Sequence, residues 1–314
     1  MFTKDRSAAI AATLWLGLLP GILITSSVAE EPAPTLTYQV GSDEEISEED
    51  LAGYNGFLAE LSPVTGEIDL TIANATLNIP VTHYFLKAVD ARKVLEDAWG
   101  NPPDETVLGM IFPAGLSPFN APWGATVQYN DDGYISDEDA GTIDYGAMMS
   151  DLKSSQVAEN EWRTENGYEE IEMIGWAESP SYDNASHKLY WAKEMRFGEA
   201  DNNTLNYDIR VLGRRGALVV SFIATMDELA AIQQSTPAVL NMASFNAGST
   251  YSDYEPGVDK KAAYGIAGLI GGAAIAKKTG LLAAILLFGK KFIVFIIAGI
   301  AAGFGALRKF FAKN

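Results

Sequence analysis

From residue 262 to the end, the chain consists of three apolar runs, 262–276, 281–288 and 292–307. Lys277-Lys278 and Lys290-Lys291 separate them, and Arg308, Lys309 and Lys313 close the chain. Side chains this apolar cannot form the surface of a water-soluble domain, so they must be buried in protein or lipid. A membrane span takes roughly 20 apolar residues, so the shorter runs need tilt or snorkelling lysines to cross. The simplest expectation is a membrane-anchoring tail, 262–314, in which 292–307 crosses and the basic end stays inside. A hairpin that returns the last run outward is the alternative. Gly299 and Gly303 stand at small-xxx-small spacing, which suits either a homo-oligomer of Gly-rich helices or plain lipid-facing sequence.

The other end has the pattern of an export signal. Lys4 and Arg6 precede an apolar run over 8–24, and Ser27-Val28-Ala29 is a small-x-small cleavage site, so 1–29 is expected to be a signal peptide. Between the two ends the charge reverses: residues 30–255 carry 39 Asp/Glu against 11 Lys/Arg, a net of −28. A field of that sign makes nucleic acid an unsuitable partner, while the basic tail suits anionic lipid. The chain has no cysteine, which removes disulfides, thiolate nucleophiles and Cys-based metal sites.

The acidic leader, 30–62, carries Leu51, Tyr54, Phe57, Leu58 and Leu61 at the spacing of a short amphipathic helix. Alternation predicts a hairpin over 66–70 and 75–79, and a helix after Thr82 that ends at Gly100-Asn101-Pro102-Pro103. Strands are predicted at 106–112 and 125–129, a helix at 145–165, and four successive strands at 171–176, 188–195, 205–212 and 217–224. Helical stretches at 226–233 and 237–245 close the soluble domain, 63–247, ahead of a linker, 248–261. Strands in runs, with no βαβ alternation, predict an α+β fold: an antiparallel sheet with helices packed on its faces. By analogy, small α/β/α sandwiches resembling the PsbP and Mog1 proteins fit that order.

Several phrases stand together: Asp90-Ala91-Arg92-Lys93-Val94-Leu95, Gly109-Met110-Ile111-Phe112-Pro113, Gly175-Trp176-Ala177-Glu178, Leu189-Tyr190-Trp191-Ala192-Lys193 and Asn206-Tyr207-Asp208-Ile209-Arg210. In them the chain resembles a bacterial family known as domain of unknown function 2167, from about Gly66 onward. The resemblance implies a membrane-anchored protein and brings no catalytic residue, cofactor or activity with it.

Candidate chemistry is sparse. His83 and His187 are the only histidines, too few for a multi-histidine metal centre, and His83 with Asp90 is the one conceivable base and orienter. The segment from Gln128 sets Asn130, Asp132, Ser136 and Asp139 at positions 3, 5, 9 and 12 of a calcium-type loop, with Gly133 at 6 but Gln at 1. The same residues also make a turn, so a divalent cation is the weaker of two readings, and no other cofactor is indicated. Trp99, Trp123, Trp176 and Trp191 either line a groove for a glycan or peptide or pack the core. Arg210 and Arg214 are unusual cations in so acidic a stretch, and suit a carboxylate ligand or internal ion pairs. Gly-x-Ser-x-Gly, the P-loop and Gly-x-Gly-x-x-Gly are all missing. The expected function is an inner-membrane protein whose periplasmic acidic domain binds an envelope protein or glycan. A carboxylate-based hydrolase is the alternative.

Overall fold

The computed structural model describes residues 34–41, 45–200 and 202–279. The expected signal peptide and the runs 281–288 and 292–307 lie outside the described residues. Helix α1 (Glu48–Ala59) starts at Ser47, whose hydroxyl accepts from the Asp50 amide at 3.0 Å, with Glu48, Glu49 and Asp50 at its positive end. Strands β1 (Gly66–Leu70) and β2 (Ala75–Ile79) pair antiparallel, and the turn closes through Asn74 at φ 48°. Strand β3 (His83–Lys87) then leads into α2 (Ala88–Arg92), which continues as a π-helical turn over Lys93–Ala98.

The helix expected after Thr82 therefore begins only at Ala88. Tyr84 and Leu86 pack on one side of β3 and Phe85 on the other, and all three are buried. A strand covered on both faces reads as a continuous apolar run, without the alternation that marks a half-exposed strand.

The chain continues through β4 (Val107–Pro113), β5 (Trp123–Asn130), β6 (Tyr134–Ser136) and α3 (Tyr145–Glu165). Four strands follow: β7 (Ile171–Asp183), β8 (Lys188–Phe197), β9 (Thr204–Leu212) and β10 (Ala217–Thr225). Helix α4 (Leu229–Met242), β11 (Ala243–Phe245), β12 (Lys261–Gly265) and α5 (Ile266–Thr279) complete the described chain, and α5 is broken by a non-helical backbone at Gly272. No helix among the described residues is long and apolar enough to cross a membrane.

Seven strands form one antiparallel sheet in the order β3-β4-β5-β10-β9-β8-β7. The fold is α+β, with helices packed on its antiparallel sheets. One face of the large sheet packs against α4 and the small sheet β1-β2-β11, through Leu77, Ile79, Phe85, Val127, Tyr207, Phe222, Ile232 and Val239. The opposite face is covered in two places. At the β3–β4 end lie α1 and α2 with Leu36, Tyr38, Tyr54 and Leu58, so the leader belongs to the core. Towards β8 and β9 lie α3 and α5, with Met148, Leu189, Trp191, Ile266 and Leu269.

The stretch 248–261, expected as a linker, carries a short 3-10 turn at Tyr251–Asp253 and ends in β12. Tyr251 is buried and its hydroxyl donates to the Ile135 carbonyl at 2.9 Å. Strand β12 pairs parallel with β6, not with any strand of the large sheet. Gly133, at φ 101°, makes that approach feasible, because a Cβ there would lie 2.6 Å from the Lys260 carbonyl oxygen.

Candidate functional site

The loop read as calcium-type is taken up by its neighbours. Asp132 accepts a short hydrogen bond from the Tyr264 hydroxyl. Asp139 accepts from the Ile266 amide at 2.9 Å and the Ala267 amide at 3.0 Å, which makes it the cap of α5. Residue 265 must be glycine for this, since a Cβ there would stand 2.6 Å from an Asp139 oxygen. Asn130 ends β5, opposite Ala217, and Ser136 ends β6, opposite Gly265. The turn at Asp131-Asp132-Gly133 hands the chain from the large sheet to the β6–β12 pair and does not close a hairpin. Among the described residues no group of three or more His, Asp or Glu side chains could hold a metal ion.

Next to this segment is a recess of about 400 Å³ lined by Asp137, Ala140, Gly141, Tyr182 and Asn184. The Tyr182 hydroxyl donates to Asp137 Oδ2 at 2.7 Å and lies 3.1 Å from His187 Nδ1, and that nitrogen is 3.9 Å from the same carboxylate oxygen. Burial, and then the bond to Asp137, push the Tyr182 phenol well above its ordinary value, so it stays a proton donor. The β7–β8 turn sets this geometry: Asp183 accepts from the Ala185 amide at 2.9 Å and the Ser186 hydroxyl at 2.6 Å, and His187 closes the turn at φ 52°. A histidine in the left-handed region costs about 1–2 kcal/mol relative to glycine. Its ring is held 4.2 Å from that of Tyr251, which also packs 4.6 Å from Tyr134.

A second polar cluster lies inside the protein, on the face of the sheet that α3 covers. Trp191 is directly opposite Asp208 and Lys193 directly opposite Asn206, with Arg210 two residues further along β9 on the same face. Asp208 lies 3.3 Å from both Lys193 Nζ and Arg210 Nη1, and accepts from the Ser221 hydroxyl at 2.6 Å. Burial alone would raise the Asp208 carboxyl, but Lys193, Arg210 and Ser221 outweigh it and hold it below the usual range. The Arg210 guanidinium sits 4.9 Å from the centre of the Trp191 ring. Glu159 of α3 is pushed up by burial, against the pull of Arg163 and Lys193.

The four tryptophans form no common groove. Trp123 packs with Phe222 on the α4 face, Trp99 packs edge-on to Phe112 under α2, and Trp191 lies under α3. Trp176 donates to the Tyr145 carbonyl at 2.9 Å and so fixes the start of α3. Arg214 pairs with Asp259 at 2.8 Å and Glu255 at 3.2 Å, pinning the segment that leads to β12. His83 and Asp90 are not brought together: the Thr82 hydroxyl lies 2.9 Å from His83 Nδ1, and Asp90 accepts the Ser62 amide at 3.0 Å. Sequence reasoning misses Tyr182 and Asp137 because 45 residues separate them. Lys193 and Asp208 are 15 apart, on different strands, and only the strand register joins them.

The sequence profile described as "Protein of unknown function (DUF2167)" matches residues 62–301. The chain belongs to the DUF2167 family. In this DUF2167 protein the match takes in both clusters and the β12–α5 segment. No curated protein matches the sequence. Among solved structures, the cyanobacterial PsbP of Synechocystis sp. PCC 6803 is 10% identical, with 57% of this chain and 91% of that one covered and a TM-score of 0.35. The Saccharomyces cerevisiae Ran-binding protein Mog1p is 9% identical, with 59% and 96% covered and a TM-score of 0.26.

Proposed function

We propose that this DUF2167 protein is a binding protein of the bacterial envelope. Residues 1–29 direct its export, the apolar runs beyond residue 279 hold it at the inner membrane, and the acidic domain faces the periplasm and takes a glycan or protein ligand in the recess beside Tyr182. The observation that carries the binding part is the convergence of Asp137, Tyr182 and Asn184 on one open concavity, with a strained His187 3.1 Å from the Tyr182 hydroxyl. A few polar groups fixed by the scaffold around a recess are the usual makings of a ligand site. A carboxylate and an amide side chain beside a phenol ring suit hydroxyl-rich ligands, which offer paired donors and a flat C–H face. The anchoring part rests on the apolar runs 281–288 and 292–307 and the basic residues around them, since 262–270 is taken up by the core. Hydrolysis by a carboxylate pair has no such support: the half-buried, raised Glu159 has Arg163 and Lys193 as its charged neighbours.

Two measurements test this reading on the full chain. Reporter enzymes fused after Phe245 and after Asn314 are expected to read outside and inside; an inside reading at Phe245 removes the export argument. Full-length protein in detergent is then mixed with purified cell-wall glycan, and Asp137→Asn is expected to lower its retention about tenfold, the scale of one charge-assisted hydrogen bond. Equal retention by the variant and the parent takes the recess out of the function.

A further inference from the structure

The recess beside Tyr182 has a sign as well as a shape. Of the side chains that line it, Asp137, Ala140, Gly141, Tyr182 and Asn184, only Asp137 is charged at neutral pH. Its Oδ2 is taken by the Tyr182 hydroxyl. His187, the only basic side chain within 4.0 Å of this carboxylate among the described residues, approaches that same oxygen. The other oxygen, Oδ1, has no partner among the described residues, and neither has the Asn184 side-chain amide. Asp137 and Asn184 therefore line one concavity with acceptors that nothing in the protein uses.

The surroundings have the same sign. Burial raises the Tyr182 and Tyr251 phenols, and the negative charge of Asp137 adds to it at both, with Asp183 adding more at Tyr182. No cation among the described residues pulls either phenol back. At Tyr129 and Tyr264, also raised chiefly by burial, Arg215 and Arg210 do pull the other way. Residues 30–255 carry 39 acidic against 11 basic side chains, and a concave site in such a field concentrates cations.

The match is therefore a ligand cation. An anion meets Asp137, Asp183 and the field of the domain together. A neutral hydroxyl donates one hydrogen bond to the carboxylate, whereas an ammonium donates up to three and brings its charge to each. The Asn184 carbonyl is a second acceptor for it, and the NH2 of the same side chain donates to an oxygen beside the amine. A lysine side chain carries its ammonium on a bare hydrocarbon stem and leaves that NH2 unused. An amino sugar has hydroxyls next to its amine and serves both.

We propose that the recess takes a glycan through a free amino group, its ammonium on Asp137 Oδ1 and the Asn184 carbonyl, and a neighbouring sugar hydroxyl on the Asn184 NH2. This rests on the reading of the recess as a ligand site and narrows it from hydroxyl-rich ligands to amine-bearing ones. The test is titration calorimetry of the full-length protein in detergent at about pH 7, below the range of an α-amino group. The probes are an N-acetylglucosamine tetramer with one amine freed, the fully acetylated tetramer, and a tetrapeptide whose single charge is one lysine. The freed amine is expected to tighten binding at least tenfold over the fully acetylated tetramer, the scale of one charge-assisted hydrogen bond. Asp137→Asn still accepts from Tyr182 and loses the charge, so the ratio of the two affinities should fall to about one. Asn184→Ala, in the exposed β7–β8 turn, is the second variant and should weaken the amine-bearing tetramer severalfold. Equal binding of both tetramers by the parent, with both weakened by Asp137→Asn, overturns the amino-group assignment and leaves the recess a glycan site. No saturable heat with either tetramer overturns the recess as well. A preference for the amine that survives in both variants is attraction to the acidic surface at large, and overturns the assigned residues. Tighter binding of the lysine peptide than of the amine-bearing tetramer overturns the sugar.

Discussion

Asp208 shows how a single carboxylate can organise a buried region. With Lys193, Arg210 and Ser221 all directed at it, replacing it by Asn strands two cations in the interior. Breaking a buried pair from one side typically costs about 3–5 kcal/mol, so Asp208→Asn is expected to lower the unfolding free energy in urea by that amount. The pH dependence follows from signs. The folded pKa of Asp208 is depressed, so its contribution is present above the unfolded value and is lost as pH falls through the folded one. Glu159 runs the other way: its folded pKa is raised, so the fold favours its neutral form, and stability is lost as pH rises through that raised value. Glu159→Gln should therefore be more stable than the parent at pH 7 and equal to it at about pH 4, read from urea midpoints at both. None of this was legible in the sequence beyond the presence of Arg210 and Trp191, because the residue that joins them, Asp208, was one of 39 acidic side chains with nothing to single it out.

At the scale of elements, the four-strand run from β7 to β10 and helix α3 announced themselves, since alternation, turn residues and helical spacing are local signals. Strand β3 and the pair β6–β12 did not. The first is buried on both faces, and the second joins segments over a hundred residues apart, so no local periodicity reports it. The β12–α5 segment supplies Ala262, Ile266, Leu269 and Ile270 to the cluster that covers Trp191 and Leu189. Ending the chain after Ala247 should therefore expose that cluster and lower Tm by at least 10 °C, whereas ending it after Thr279 should leave Tm within a few degrees. A milder version is Asp139→Ala, which removes the cap of α5 and is expected to cost about 1 kcal/mol in a denaturant titration.

Across the whole molecule, charge outweighs every other compositional feature. A domain with 39 acidic and 11 basic side chains repels itself, and the few cations are spent locally, as Arg214 is on Asp259 and Glu255. Raising sodium chloride from about 10 to 150 mM, which shortens the screening length from roughly 30 to 8 Å, is expected to raise Tm by several degrees. No gain with salt would mean that the repulsion is already balanced within the fold. The partition of charge was plain in the sequence, since counting is all it requires. The clusters around Tyr182 and Asp208 depend on contacts between segments distant in sequence, which counting does not give.

The docking of β12 against β6 also sets a timetable. The strands of the large sheet all precede residue 226, yet Leu189, Trp191 and Leu212 are only partly covered, from the side of α3, until residues 261–270 arrive. A chain made from its N-terminus meets that condition only after all seven strands have been made. Until then an apolar face lies open to passing chains, and the closing contact is one of long sequence separation, the slowest kind to form.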